Sequence, residues 1–90
     1  ANNWNSVALS SDGMYQCATV GVNIYLSKDY GSSWNNIYTS SVNLYSISIS
    51  ANGQFISAIG YLINNTIVYT STNGGYSFNS YNIKLLLKEF

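Results

Sequence analysis

The chain repeats itself at an offset of about 40 residues, and no other feature constrains its fold so tightly. VALSSDGMYQCA (7–18) aligns with ISISANGQFISA (47–58). Val7 meets Ile47, Ser10 meets Ser50, Gly13 meets Gly53, Tyr15 meets Phe55 and Ala18 meets Ala58. After an insertion around Tyr61–Asn65 the offset becomes about 44. Tyr25 then meets Tyr69, Ser27 meets Ser71, Asp29 meets Asn73, Gly31 meets Gly75 and Trp34 meets Phe78.

Within each unit the apolar runs are short, rich in β-branched and aromatic residues, and punctuated by Gly, Asn, Asp or Ser, which is the composition of strands and turns. Over 44–50, Leu44, Ser46, Ser48 and Ser50 oppose Tyr45, Ile47 and Ile49, a period of two. No segment before residue 82 holds a helical period. Asp12-Gly13 and Asn52-Gly53 lie between apolar runs, where type I′ hairpin turns are expected. Strands are expected near 5–10, 14–20, 23–27 and 33–39, and again near 44–50, 54–60, 66–71 and 77–82. Four strands per unit of about 40 residues is the pattern of propeller blades. The expected fold is therefore all-β: two consecutive four-stranded antiparallel β-propeller blades, at 1–43 and 44–81, with a strand or docking tail at 82–90.

The stretch Ser27-x-Asp29-x-Gly31-x-x-Trp34 resembles the Asp box, the turn of sialidase-type (BNR-repeat) β-propellers. Ser71-x-Asn73-x-Gly75-x-x-Phe78 keeps the spacing and departs at two positions. The likeness covers the chain to about residue 80. It implies a structural turn on the propeller's outer rim, away from any active centre. The physics of the turn agrees. A short acceptor such as Asp29 can satisfy backbone N–H groups that a tight turn leaves unpaired. Gly31 supplies a positive φ, and Trp34 is expected to fold its ring against a neighbouring hydrophobic layer. Asn73 can cap through its carbonyl oxygen, with a neutral bond, and Phe78 fills less volume, so the second box is expected to be the looser.

Catalysis is not expected. The sialidases that the resemblance points to hold their substrate with an arginine triad and use a Tyr/Glu nucleophile pair with an acidic Asp. This chain has no Arg and no His, and its acids are Asp12, Asp29 and Glu89 alone. Glycoside hydrolysis needs two facing carboxyl groups, and Ser or Cys nucleophiles need a base. Metal sites need clustered ligands, so no metal and no cofactor is expected. Cys17, the single cysteine, reads as a buried hydrophobe.

Charged residues make up 7% of the chain and the net charge is zero, with Lys28, Lys84 and Lys88 the only cations, which excludes a nucleic-acid footprint. No apolar run reaches the roughly 20 residues of a membrane span. A wettable but weakly self-repelling surface favours association. Two blades leave two flanks open, whereas closed propellers have about four blades or more. The missing sheets come either from a longer chain, from identical copies closing a ring, or from copies stacking as a filament. The start at Ala1 rather than Met reads as processing or as part of something longer.

In the tail, Ile83, Leu85 and Leu87 share one face of a strand, and Ile83, Leu86, Leu87 and Phe90 group on a helix. It either covers its own domain or docks on the next copy's sheet edge. Asn64-Asn65-Thr66 is an N-glycosylation sequon in the lengthened loop. The leading expectation is a non-catalytic structural module of an extracellular filament, cell-surface appendage or virion fibre, partnered by copies of itself or by further blades. The alternative is a carbohydrate-binding lectin, for which nine Tyr, Trp4 and Trp34 offer aromatic faces to glycans.

Overall fold

A computed structural model describes residues 5–62 and 65–84, with no side-chain description at 62, 83 and 84. It contains two antiparallel four-stranded meanders. The first runs β1 (Ser6–Leu9), β2 (Gln16–Val20), β3 (Asn23–Ser27) and β4 (Asn35–Thr39), in that spatial order. The second runs β5 (Leu44–Ile49), β6 (Ile56–Leu62), β7 (Asn65–Ser71) and β8 (Asn79–Lys84). The all-β fold with two four-stranded antiparallel sheets is as the repeat requires.

The two sheets pack face to face. Successive side chains of a strand point to opposite faces, so cross-strand partners share one. Sheet 1 turns the row Ala8–Cys17–Leu26, with Ile24 and Tyr38, toward sheet 2. Sheet 2 answers with Ile47–Ala58–Tyr69 and Ile49–Ile56. Cys17, Ile24, Leu44 and Ala58 are fully buried in this core. Each large side chain buried there contributes about 1.5–3 kcal/mol of transfer free energy. The Tyr69 ring lies 5.4 Å from Tyr38, and the Phe78 ring 4.9 Å from it, so aromatic contacts bridge the sheets. Backbone bonds tie them as well: the Leu44 N–H donates to the Gly21 carbonyl (2.8 Å) and the Ser11 N–H to the Ala51 carbonyl (2.9 Å).

Two local expectations are corrected. The Asp12-Gly13 and Asn52-Gly53 pairs do not form two-residue type I′ hairpins. That turn needs positive φ at both central residues, and here Gly13 (79°) and Gly53 (78°) have it while Asp12 and Asn52 do not. The strands end at the pairs Leu9↔Gln16 and Ile49↔Ile56, leaving longer loops. In each loop the glycine N–H donates to a serine carbonyl at 3.0 Å, Gly13 to Ser10 and Gly53 to Ser50. The serine hydroxyl then accepts the N–H five residues on, Tyr15 (3.0 Å) and Phe55 (2.9 Å), and donates to Asp12 (3.0 Å) and Asn52 (2.9 Å).

The period of two over 44–50 also breaks. Leu44 pairs with Gly60 and Ser46 with Ile59, so Tyr45 is an extra residue in the strand. That bulge returns Leu44 to the buried face beside Ile47 and leaves Tyr45 52% exposed.

The two outward faces differ. Sheet 1 presents Val7–Ala18–Tyr25 and Leu9, the repeat equivalents of Ile47–Ala58–Tyr69 and Ile49. Val7 is 60% and Leu9 56% exposed, whereas Ile47 is 7% exposed under sheet 1. Sheet 2 presents Ser48–Ser57–Thr70 where sheet 1 has the apolar row Ala8–Cys17–Leu26, beside a second row formed by Ile59, Val68 and Tyr81.

Candidate functional site

The turns between β3 and β4 and between β7 and β8 share one side-chain network. In the first, the Ser27 hydroxyl donates to Asp29 Oδ1 (2.8 Å) and accepts the Gly31 N–H (2.8 Å). Asp29 Oδ1 also accepts the Ser33 N–H (2.9 Å), and Oδ2 accepts the Ser33 hydroxyl (2.6 Å). In the second, the Ser71 hydroxyl donates to Asn73 Oδ1 (2.8 Å) and accepts the Gly75 N–H (2.8 Å). Asn73 Oδ1 accepts the Ser77 N–H (3.1 Å). The amide group of Asn73 cannot accept as a second carboxylate oxygen would, so the last bond reverses: Asn73 Nδ2 donates to Ser77 Oγ at 2.9 Å. Both bonds to Ser77 are longer than their counterparts to Ser33, and the first turn has in addition the Trp34 indole bond to Gly31, which Phe78 cannot make. Ser27 and Ser71 are buried beneath their turns.

Charge-assisted bonds hold the Asp29 carboxyl at about 2, below its ordinary 3.8. The Ser33 hydroxyl is the largest cause, followed by the Ser33 N–H and the Ser27 hydroxyl. Asp12 is likewise lowered, by the Met14 N–H first and then the Ser10 hydroxyl. Burial pushes the Cys17 thiol up to about 12. Among the described residues no three His, Cys, Asp or Glu side chains gather where they could hold a metal, and no helix is long and apolar enough to cross a membrane.

The aromatic positions of the two turns part company. Phe78 packs on the inter-sheet core against Tyr38. Trp34 does not join that core; its Nε1–H donates to the Gly31 carbonyl at 3.1 Å and the ring is half-buried. The packing on a neighbouring sheet expected of the box aromatic is made, in the second turn, by Phe78 against Tyr38. Gly31 and Gly75 have φ of 91° and 96°. A Cβ at Gly75 would come within 2.8 Å of Ile37 Cδ1, so that glycine also permits close packing. Asn64, Leu85, Leu87 and Phe90 lie outside the described residues, and Ile83 is placed only as part of β8.

Sequence reasoning missed Ser33 and Ser77, the residues that complete each turn, and Ser10 and Ser50 in the hairpin loops. The repeat alignment carried the signal, since both pairs are serine in both copies. It missed, too, a cleft of about 360 Å³ at the loop end of the sheet–sheet junction, lined by Tyr15, Lys28, Asn52, Gln54, Gly74 and Tyr76. Lys28 Nζ sits 5.0 Å from the centre of the Tyr76 ring, within cation–π range.

No family model matches the chain, and no curated protein matches it. Among solved structures it is similar to the GH74 enzyme of Niastella koreensis, with a TM-score of 0.68 and 23% sequence identity. The match covers 86% of this chain and 11% of that enzyme, so the chain spans a small part of its neighbour's length. At this identity the likeness shows the fold alone, and that fold is a β-propeller. The chain thus has the architecture of two β-propeller blades.

Proposed function

We propose that this chain is a non-catalytic structural module, two Asp-box-type blades that serve as one part of a larger extracellular assembly such as a surface appendage, filament or virion fibre. The observation that carries the reading is the outward face of sheet 1. Val7 and Leu9 stand exposed there, while their repeat equivalents Ile47 and Ile49 are packed under a neighbouring sheet. Val7 and Leu9 thus stand exposed where their repeat equivalents are covered, and a further sheet over these two residues completes the pattern. That sheet belongs to another copy or to further blades of a longer chain.

The acids support the non-catalytic part. Asp29 is spent on Ser27 and Ser33, and Asp12 on Ser10 and Met14, in separate turns. The Ser-x-Asp-x-Gly and Ser-x-Asn-x-Gly turns, with their shared bond network, support the Asp-box resemblance. Low charge and zero net charge support association. Particle mass in solution tests the reading. The native chain is expected to run above monomer mass, Val7→Lys with Leu9→Lys to reduce it, and Ser32→Lys, in an exposed turn away from both sheet faces, to leave it unchanged. A native chain that stays monomeric at every concentration sinks the proposal.

A further inference from the structure

We infer that the cleft at the loop end of the sheet–sheet junction receives the segment Leu87–Phe90 of a second copy of this chain, with Glu89 paired to Lys28. This deepens the association proposed above, on which it rests for its partner, by naming a contact between copies that is separate from Val7 and Leu9 and is not a sheet edge. The segment lies outside the described residues, and only its chemistry, read from the sequence, enters the argument. The cleft exists because the repeat is broken at one residue. In the first turn Tyr30 covers its own hairpin loop, with Tyr30 Cδ1 4.0 Å from where a Cβ on Gly13 would lie. In the second turn Gly74 takes that place, and a Cβ there would meet nothing nearer than the Gly53 carbonyl at 3.8 Å. The missing side chain opens a space of about 360 Å³.

The ionic inventory points to the occupant. The chain has three acids, Asp12, Asp29 and Glu89. Asp12 accepts from Ser10 and Met14, and Asp29 from Ser27 and Ser33, each within its own turn. Glu89 is the acid left over. On the other side, Lys28 makes no ion pair among the described residues; its Nζ stands 5.0 Å from the centre of the Tyr76 ring. Tyr15 is held against Gly53 so closely that a Cβ on that glycine would lie 2.6 Å from the ring, which fixes one aromatic wall. Tyr76, 82% exposed, forms the other. A free ammonium between aromatic walls suits an acid joined to an aromatic ring, and Glu89-Phe90 brings both.

A second hollow of about 100 Å³ shares Lys28, Gly74 and Tyr76 with the cleft and is otherwise lined by Leu26, Ile37 and Asn35, with Gly75 at its floor. Lys28 therefore stands between a small aliphatic hollow and a larger aromatic one. Leu87, Glu89 and Phe90 present an aliphatic group, a carboxylate and a ring in that order. The donor is a second copy because one chain is too short to serve itself. β8 leaves the cleft at Asn79 and finishes at Lys84, paired with Asn65 at the far end of the sheet. Those five steps of strand cover about 17 Å, and the five from Lys84 to Glu89 reach about 18 Å at full stretch, with nothing to spare for the reversal. A neighbouring copy has no such limit.

The test titrates the capped peptide acetyl-Leu-Lys-Glu-Phe-amide into the ¹⁵N-labelled chain carrying Glu89→Gln and Phe90→Ala, whose own tail no longer competes, and follows amide shifts. The peptide is expected to shift Gly53, Gln54, Gly74 and Lys28. A peptide with Gln in place of Glu should bind about threefold to fivefold more weakly, the loss of one exposed ion pair. Lys28→Glu in the chain should reverse that preference, and Gly74→Tyr should abolish binding by refilling the space. Tyr30 holds the same left-handed backbone in the first turn, so Gly74→Tyr is a variant the turn accepts, and spectra unchanged away from the cleft check that both variants fold. No shift up to the peptide's solubility limit, equal binding of the two peptides where Lys28 is kept, or binding that survives Gly74→Tyr overturns the inference. Val7→Lys with Leu9→Lys should leave the titration unchanged, so a failure here and a failure of the association through those residues are told apart.

Discussion

Tyr30 and Gly74 occupy the same place in the two turns, and both have a left-handed backbone, with φ of 62° and 74°. Glycine takes that conformation freely; an L side chain resists it. Tyr30 is the one described non-glycine residue with positive φ, so the turn imposes the angle whatever residue it receives. Its N–H donates to the Met14 carbonyl (3.2 Å) as the Gly74 N–H does to Gln54 (2.8 Å), which fixes the peptide in both copies. Gly74→Ala is expected to cost about 1 kcal/mol and Tyr30→Asn to gain roughly 0.5 kcal/mol. Urea midpoints check both.

Acid should loosen the first unit before the second. Asp29 and Asp12 are both held below their ordinary value of 3.8, and their counterparts Asn73 and Asn52 do not titrate. A carboxyl whose folded pKa is depressed adds stability above its unfolded pKa, and that contribution fades as pH falls toward the folded value. For Asp29 the window runs from about 4 down to about 2. Hydrogen exchange reads this within one molecule. The Ser33 and Met14 amides should lose protection across the window, while Ser77 and Gln54 hold theirs. Asp29→Asn should make Ser33 behave as Ser77 does.

Thr19 sits fully buried on the sheet–sheet face, and its Oγ1 has no hydrogen-bond partner among the described residues. The repeat places Ile59 at the equivalent point. A buried hydroxyl without a partner costs about 1–3 kcal/mol. Thr19→Val keeps the shape and removes the hydroxyl, so it should raise the unfolding free energy by roughly 1 kcal/mol. Thermal and urea denaturation should agree in sign.

Gly60 carries an ordinary φ and is glycine for another reason. A Cβ there would lie 2.6 Å from Val42 Cγ2 and 2.9 Å from the Asn43 carbonyl, in the segment that links the sheets. That segment is itself pinned, since the Ser40 hydroxyl donates to the Val42 carbonyl at 2.6 Å. Gly60→Ala should therefore destabilise by about 1–3 kcal/mol, with the linker displaced. The urea midpoint gives the size.

Much of this was legible in the residues, and the losses have particular causes. Strand count and order followed from the repeat and from β-branched runs. The Ser27–Asp29–Gly31 turn was readable because each residue acts on its own neighbours. Asp12-Gly13 misled because the dipeptide suits two turns, and a serine two residues earlier decides between them by offering its hydroxyl to Asp12 and Tyr15. Tyr45 misled because a bulge reverses alternation at one residue with no change in composition. The cleft was not legible at all. It depends on Tyr15 reaching Gly53 and on Lys28 reaching Tyr76, contacts between units that no local pattern encodes.

The row Ser48–Ser57–Thr70 gives the pair of sheets a direction. Were an identical molecule laid on it as sheet 2 lies on sheet 1, three hydroxyls would be trapped against hydrocarbon, at about 1–3 kcal/mol for each one left unbonded. The aliphatic side carries no such penalty. A neighbour that meets Val7 and Leu9 needs only an apolar face, whereas one that meets Thr70 must bring groups that bond those hydroxyls, so the two sides of the pair call for different company.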